Sequence, residues 1–452
     1  MKKNEEYIVD IIDNGYEGEG IAKVDNFTIF IPGAIKNEKV KIVIVKVTSS
    51  FAYGKILEIL KKSEDRIEDI DCSTYRRCGG CNLRHLNYEK TLELKKNTVQ
   101  NLVNKNLKEK VEVKDTIGME NPFNYRNKAQ YPVGIDKDGN PIIGVFANRT
   151  HEVIEIKECM IQNKESEKIA KYICEFAKQN NISVYDEETR KGLLRHIVIK
   201  VGIKTNEIMC ILVLNGKEIN NEENLVKELL NRFPNIKTIV KNINMQNTNV
   251  ILGKENINIY GNGYIFDKLG DYTFKISPLS FYQINPMQTE KLYNLALEKA
   301  ELTGNEILFD LYCGIGTIGI FMAKKAKEVY GIEIVNEAIE DAKENCRINN
   351  ITNAKYYAGD TEKLLTDLIE NKNIIPDIVV VDPPRKGLDK TTIENIKKIN
   401  AKKVIYISCN PATLIRDISY LEDKYKVKEI QPVDMFPFSH HVENISVLNF
   451  KK

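Results

Sequence analysis

Apolar positions along residues 1–60 come in short alternating runs, at 7–12, 28–31, 39–47 and 54–60, with Gly15, Gly18, Gly20 and Gly33 between them. Short strands at regular spacing with glycine turns predict a small β-barrel. At 88–110 the apolar period lengthens and predicts a helix. Between 120 and about 270, β-type runs dominate, at 130–134, 142–146, 194–201, 208–214 and 238–242. From about 275 the pattern alternates. Strands are expected at 307–311, 328–332, 354–358, 378–381 and 404–407, with helical stretches at 318–326 and 337–349. That alternation predicts a doubly wound parallel sheet, so the fold class is α/β with two smaller units in front. The expected division is a barrel at 1–60, a central α+β unit at 61–270 and a Rossmann-like unit at 271–452. The helix near 88–110 is expected to pack on the last of these.

The length of 452 residues suits two or three domains, and the net charge of +2 neither requires nor excludes nucleic acid. Without an apolar leader or a run of about 18 apolar residues, the expectation is a cytoplasmic protein with no membrane partner. Nine cysteines are an odd count for a disulfide framework, so the clustered ones point to metal binding or catalysis. Lys23, Lys36, Lys46, Phe51, Tyr53 and Lys55 interleave charge and aromatic surface on the barrel, as in an RNA-binding face or a merely solvated one.

The segment Asp310-Leu-Tyr312-Cys313-Gly314-Ile-Gly316-Thr-Ile-Gly319 follows a predicted strand and opens a helix. Its glycines allow a tight turn and close approach of a ligand to a helix N-terminus. Glu333 ends the next strand about 20 residues past the first glycine, which suits a ribose diol. These features fit a dinucleotide or S-adenosylmethionine equally, so an NAD-dependent dehydrogenase stands as an alternative. Two further strand ends narrow the choice. Ile378–Val381 runs into Asp382-Pro383-Pro384-Arg385, a rigid turn beside the cofactor crevice that hydride transfer has no use for. Residues 404–407 lead into Ser408-Cys409-Asn410-Pro411, where a cysteine at a strand end becomes a candidate nucleophile.

Cys72, Cys78 and Cys81 stand in the spacing C-x5-C-x2-C, and Cys159 is the natural fourth ligand. Four thiolates would suit zinc or an iron–sulfur cluster. Cys174, Cys210, Cys313 and Cys346 lie in periodic segments and read as structural. Asn121–Tyr131 mixes aromatic, basic and amide groups, as in segments that stack a splayed base.

Taken in order, these motifs resemble the RNA uracil-5-methyltransferase family, in particular its 23S ribosomal RNA branch. The carriers are the TRAM/OB-like barrel, the cysteine set, Phe281-Tyr282-Gln283-Ile284-Asn285, the 310–319 loop, Asp382-Pro-Pro-Arg385, Ser408-Cys409-Asn410-Pro411 and His441-Val442-Glu443. The resemblance implies that Gln283, Tyr312, Glu333 and Asp382 contact S-adenosylmethionine. It also implies that Cys409 is the nucleophile, that Glu443 is the base, and that Cys72, Cys78, Cys81 and Cys159 hold a 4Fe-4S cluster. The transfer RNA branch typically lacks barrel and cysteines, which points the expectation to 23S rRNA. A non-enzymatic RNA-binding protein is disfavoured by the intact Cys409, Glu443 and Asp382 set.

Overall fold

The computed structural model describes residues 1–75, 77–147 and 150–451. Among them the N-terminal strands form a six-stranded sheet. The bent first segment closes it: Glu6–Asp10 pairs with Lys39–Val47, and Asp13–Asn14 pairs with Gly20–Val24. Alternation drives the closure. Val40, Ile42 and Ile44 point into a core with Ile29, Ile31 and Ala52, while the intervening Lys41 and Val43 are only part-buried. The interior is tight enough that a Cβ on Gly54 would come within 2.9 Å of Ile42. Outside, Phe30, Phe51 and Tyr53 form an aromatic cluster with ring separations of 5.5–6.0 Å.

A seven-stranded sheet follows, with Leu194–Val201 and Ile208–Leu214 at its centre. Both strands are buried at every position because the sheet is covered twice. Ile197, Ile199 and Val201 pack under the helices Lys164–Gln179 and Glu222–Arg232. Val198, Met209, Ile211 and Val213 join the core of the C-terminal unit with Phe274 and Leu308. The two helices interrupt a stretch expected to be mainly β. Their apolar stripes, such as Ile169, Ile173 and Phe176, are short and set among lysines and glutamates.

The C-terminal sheet has eight strands. Ala354–Ala358, Glu328–Glu333, Ile307–Leu311, Ile378–Val381 and Lys403–Ser408 lie side by side and parallel, as the alternating pattern predicts. The sheet is nevertheless mixed and not purely parallel. Glu443–Phe450 runs antiparallel to both Lys403–Ser408 and Tyr425–Val433. Glu112–Val113 adds a final strand beside Tyr425–Val433. The helix Tyr88–Asn106 packs here, with Val99 and Val103 in one core with Leu414 and Ile418. No helix among the described residues is long and apolar enough to cross a membrane.

One polar contact fastens this helix. Lys95 and Asp434 are fully buried and meet at 2.5 Å. Tyr88 donates to the other carboxylate oxygen at 2.7 Å, and Lys95 also donates to the Phe436 carbonyl at 3.1 Å. Removing one partner of a buried pair strands the other charge, at a cost of about 3–5 kcal/mol. Lys95→Met is therefore expected to lower the unfolding free energy by about that amount in chemical denaturation. An unchanged denaturation midpoint would show that Asp434 needs no cation.

Candidate active site

The glycine turn starts from a buried acid. Asp310, in an otherwise apolar strand, accepts from the Gly319 backbone at 2.8 Å and ties the strand to the helix Thr317–Ala323. Its second oxygen has no partner, and burial pushes its carboxyl up to about 7. An acid inside an apolar strand was the available signal for this residue, to which the motif reading gives no separate role. Tyr312, Gly314 and Gly316 all adopt positive φ. A Cβ on Gly316 would sit 2.9 Å from the Tyr356 ring, whereas one on Gly314 would meet nothing within 4 Å. The turn therefore packs on one side and presents bare backbone to open space on the other, a cradle that fits a ligand.

Glu333 braces this cradle. One carboxylate oxygen accepts from the Gly314 backbone at 3.2 Å, and the other from Ile334 and Val335 at 2.8 and 3.0 Å. Tyr312 donates to Asp389 at 3.4 Å. Across the crevice, the Gln283 amide donates to Asp382 at 3.3 Å. Gln283 is in turn fixed by the Asn127 side chain, which donates to its carbonyl at 2.9 Å.

Cys409 and Glu443 face each other through sheet register. Ser408, the last residue of its strand, pairs with Asn444, so Cys409 just past the strand end comes beside Glu443, which acts on its thiol. Glu443 is 2% exposed, and one of its carboxylate oxygens has no partner. Burial, then the nearby Asp382, hold its carboxyl well above the usual carboxylate range; Arg385 opposes both. Burial pushes Asp382 up to about 7, against the Gln283 hydrogen bond. Cys409 is pushed up to about 11 by burial, then by Glu443 and Asp382, with Arg385 acting the other way. Two acids and a thiol thus share one underpaired patch. Asn410 joins its two loops, donating to the Arg385 carbonyl at 3.0 Å.

The four clustered cysteines converge in part. Burial raises Cys78, Cys81 and Cys159, Cys81 to about 12, and neighbouring cysteines add to each shift. Met119, Tyr125, Ile161 and Phe438 form the apolar cluster against which Cys81 and Cys159 pack. Among the described residues, however, no group of three or more His, Cys, Asp or Glu side chains stands in a geometry for a single metal ion. The segment 121–131 departs from expectation. Tyr125 and Tyr131 are core residues, 4% and 1% exposed, and cannot stack on a base. Tyr131 lies in the strand Lys128–Ile135 and Tyr125 in the loop before it, and composition alone gave no sign of their burial.

Fold and site together define a mixed α/β methyltransferase of the S-adenosylmethionine-dependent fold, carrying an N-terminal TRAM domain. Residues 2–57 match the TRAM domain model, and residues 87–451 match the model for tRNA (Uracil-5-)-methyltransferase. The chain belongs to that uracil-5-methyltransferase family. An RNA methyltransferase of Clostridium tetani is 46% identical over 100% of this chain and 97% of its own. One from Staphylococcus aureus is 45% identical over 100% and 99%. The structure of Pyrococcus abyssi tRNA (uracil-54, C5)-methyltransferase, in complex with S-adenosyl-L-homocysteine, superposes with a TM-score of 0.77 at 27% identity. It covers 98% of this chain and 99% of its own.

The raised carboxyls predict a pH signature. A carboxyl that holds its proton more tightly when folded contributes stability at low pH and loses it as pH rises through the folded value. Glu443→Gln removes that loss. Its melting temperature relative to the parent should therefore rise between about pH 5 and about pH 8. A difference that falls over this range would show that Glu443 is held as the charged form.

Proposed function

We propose that this protein transfers a methyl group from S-adenosylmethionine to carbon 5 of a uridine in 23S rRNA. The observation that carries the reading is the opposition of Cys409 and Glu443 across adjacent antiparallel strands, with Asp382 beside both. Gln283, Tyr312, Glu333 and Asp382 would hold the methyl donor, which supplies an electrophilic carbon when bound. Carbon 5 of uracil is a poor nucleophile. Addition of the Cys409 thiolate at carbon 6 converts the ring to an enolate and makes carbon 5 reactive. The thiol is protonated at neutral pH, and Asp382, raised to about 7 and so partly ionised there, would take its proton, which leaves Glu443 for the later step. After transfer, carbon 5 bears both methyl and hydrogen. Glu443 removes that proton, and the electron pair expels the Cys409 sulfur.

Cys409→Ala should form no covalent adduct with RNA. Glu443→Gln should add and methylate but stall before elimination, with turnover reduced about 10²–10⁴-fold, the usual worth of a general base. A denaturing gel with labelled RNA reads both outcomes, as a retarded band for Glu443→Gln and none for Cys409→Ala. Adducts persisting in Cys409→Ala would remove it as nucleophile, and normal turnover of Glu443→Gln would remove the base.

A transfer RNA uridine is the second reading. The barrel does not separate the two, because the P. abyssi transfer RNA enzyme covers 98% of this chain. The ribosomal reading is supported by the ordered motif set, including the four cysteines. Nucleoside mass spectrometry of ribosomal and transfer RNA from cells lacking the protein decides it: loss of 5-methyluridine from 23S rRNA supports the proposal, and loss from transfer RNA alone overturns it.

Cys72, Cys78, Cys81 and Cys159 are further proposed to hold a 4Fe-4S cluster with a structural role. In its support stand the C-x5-C-x2-C spacing of the first three and the packing of Cys81 and Cys159 against one apolar cluster. Protein prepared without oxygen should be brown and contain iron. A colourless protein with stoichiometric zinc would reject iron.

A further inference from the structure

The TRAM barrel reaches the mouth of the active site through one loop. Between Asp13–Asn14 and Gly20–Val24 the chain turns tightly, with the Gly15 backbone donating to the Glu19 carbonyl at 2.7 Å. The loop sits hard against the segment that follows the clustered cysteines: a Cβ on Gly18 would approach Leu83 to 2.2 Å. Its tip carries Tyr16, whose hydroxyl donates to the Asn410 side chain at 3.5 Å, one residue past Cys409. The ring is 41% exposed, so domain packing does not account for it.

Tyr16 begins a row of rings. It lies 5.9 Å from His440, and His440 lies 4.1 Å from His441. Arg385 approaches His441 at 3.4 Å. Burial lowers the basicity of both imidazoles, His441 to about 4, so both rings are neutral at physiological pH. Asn82 holds the row together. Its amide group donates to the Glu17 carbonyl at 2.7 Å and lies 2.7 Å from the His440 ring nitrogen, while its oxygen accepts from the His440 backbone at 2.9 Å. Barrel, cysteine segment and catalytic loop therefore fix the shelf before any substrate arrives.

We propose that Tyr16, with His440 and His441, stacks a nucleobase adjoining the target uridine in the RNA substrate. The proposal rests on the methyltransferase reading above. An enzyme that works on a base must take it out of its stack, leaving the neighbouring base without a partner. Aromatic rings beside the nucleophile supply one, and stacking tolerates any base because every base has a π-face.

The test is a cycle between protein and RNA. The probe is a short single-stranded RNA with one 5-fluorouridine and a fluorescent end label, intact or with an abasic site at each of the flanking positions in turn. Binding is read by anisotropy, which requires no chemistry. Removing one flanking base should weaken the parent protein on the order of tenfold. Tyr16→Ala should bind intact RNA more weakly by a similar factor and be indifferent to that base, and Tyr16→Phe, which keeps the ring, should restore the dependence. Indifference of the parent protein to every abasic site overturns the proposal without recourse to a variant. Additive losses in Tyr16→Ala, or its unimpaired binding, overturn it as well. Covalent capture of the 5-fluorouridine by the parent protein reports separately on the reaction. Its absence alongside an intact stacking cycle would overturn the methyl-transfer reading and leave the shelf standing.

Discussion

A fully buried lysine from the helix Tyr88–Asn106 neutralises a fully buried aspartate on the catalytic sheet, and the position of the active-site loop depends on that contact. Asp434 begins the segment between Tyr425–Val433 and Glu443–Phe450, which carries Phe436, Phe438, His440 and His441 on its way to Glu443. Desolvating two charges is expensive, and the Coulombic gain offsets it only where geometry and further hydrogen bonds are good. Here Tyr88 and the Phe436 carbonyl supply those bonds. Because Lys95 and Tyr88 lie just past the cysteine segment, the same contact delivers that segment, and with it the barrel, to the mouth of the site.

The cysteine segment is a wedge between three parts of the molecule. Cys78 bridges to Ala147 at the end of a central-sheet strand, Leu83 donates to the Phe438 carbonyl at 2.9 Å, and Asn82 joins the barrel loop to His440. Asn82 directly follows Cys81. Any order imposed on Cys81 would therefore reach, within one residue, the loop that carries the histidines.

The parallel strands were the most legible part of the chain. Residues 307–311 and 378–381 coincide with observed strands, because a strand covered on both faces must be a nearly uninterrupted apolar run bounded by turns; the edge strand 354–358, exposed at Lys355 and Ala358, coincides as well. Strand direction left no such trace. The antiparallel course of Glu443–Phe450 is a property of sheet order, and it is what sets Glu443 opposite Cys409. The strand end brought Cys409 to attention and the family resemblance brought Glu443, but spacing alone does not show that they meet. The aromatic residues at 125 and 131 misled for a related reason: composition reads stacking surface and core alike until burial is known. Tyr16 and Asn82 were invisible because their neighbours belong to other parts of the chain.

The charge balance of the site bears on when Glu443 can act. Asp382 and Glu443 share a buried patch in which Arg385 is the cation opposing the rise of Glu443, and two adjacent desolvated carboxylates resist being ionised together. A positive charge placed beside Asp382 favours the ionised acids, and a sulfonium methyl donor carries one. In the proposed reaction that charge disappears at methyl transfer, since the donor leaves as a neutral thioether. Glu443 would then be left with Arg385, and its affinity for a proton would rise at the step in which carbon 5 gives one up. Glu443 would thus be charged and weakly basic before transfer and more strongly basic after it. Burial, which would disable a carboxylate expected to remain ionised throughout, would in the proposed reaction amplify the response of Glu443 to a single change of charge a short distance away.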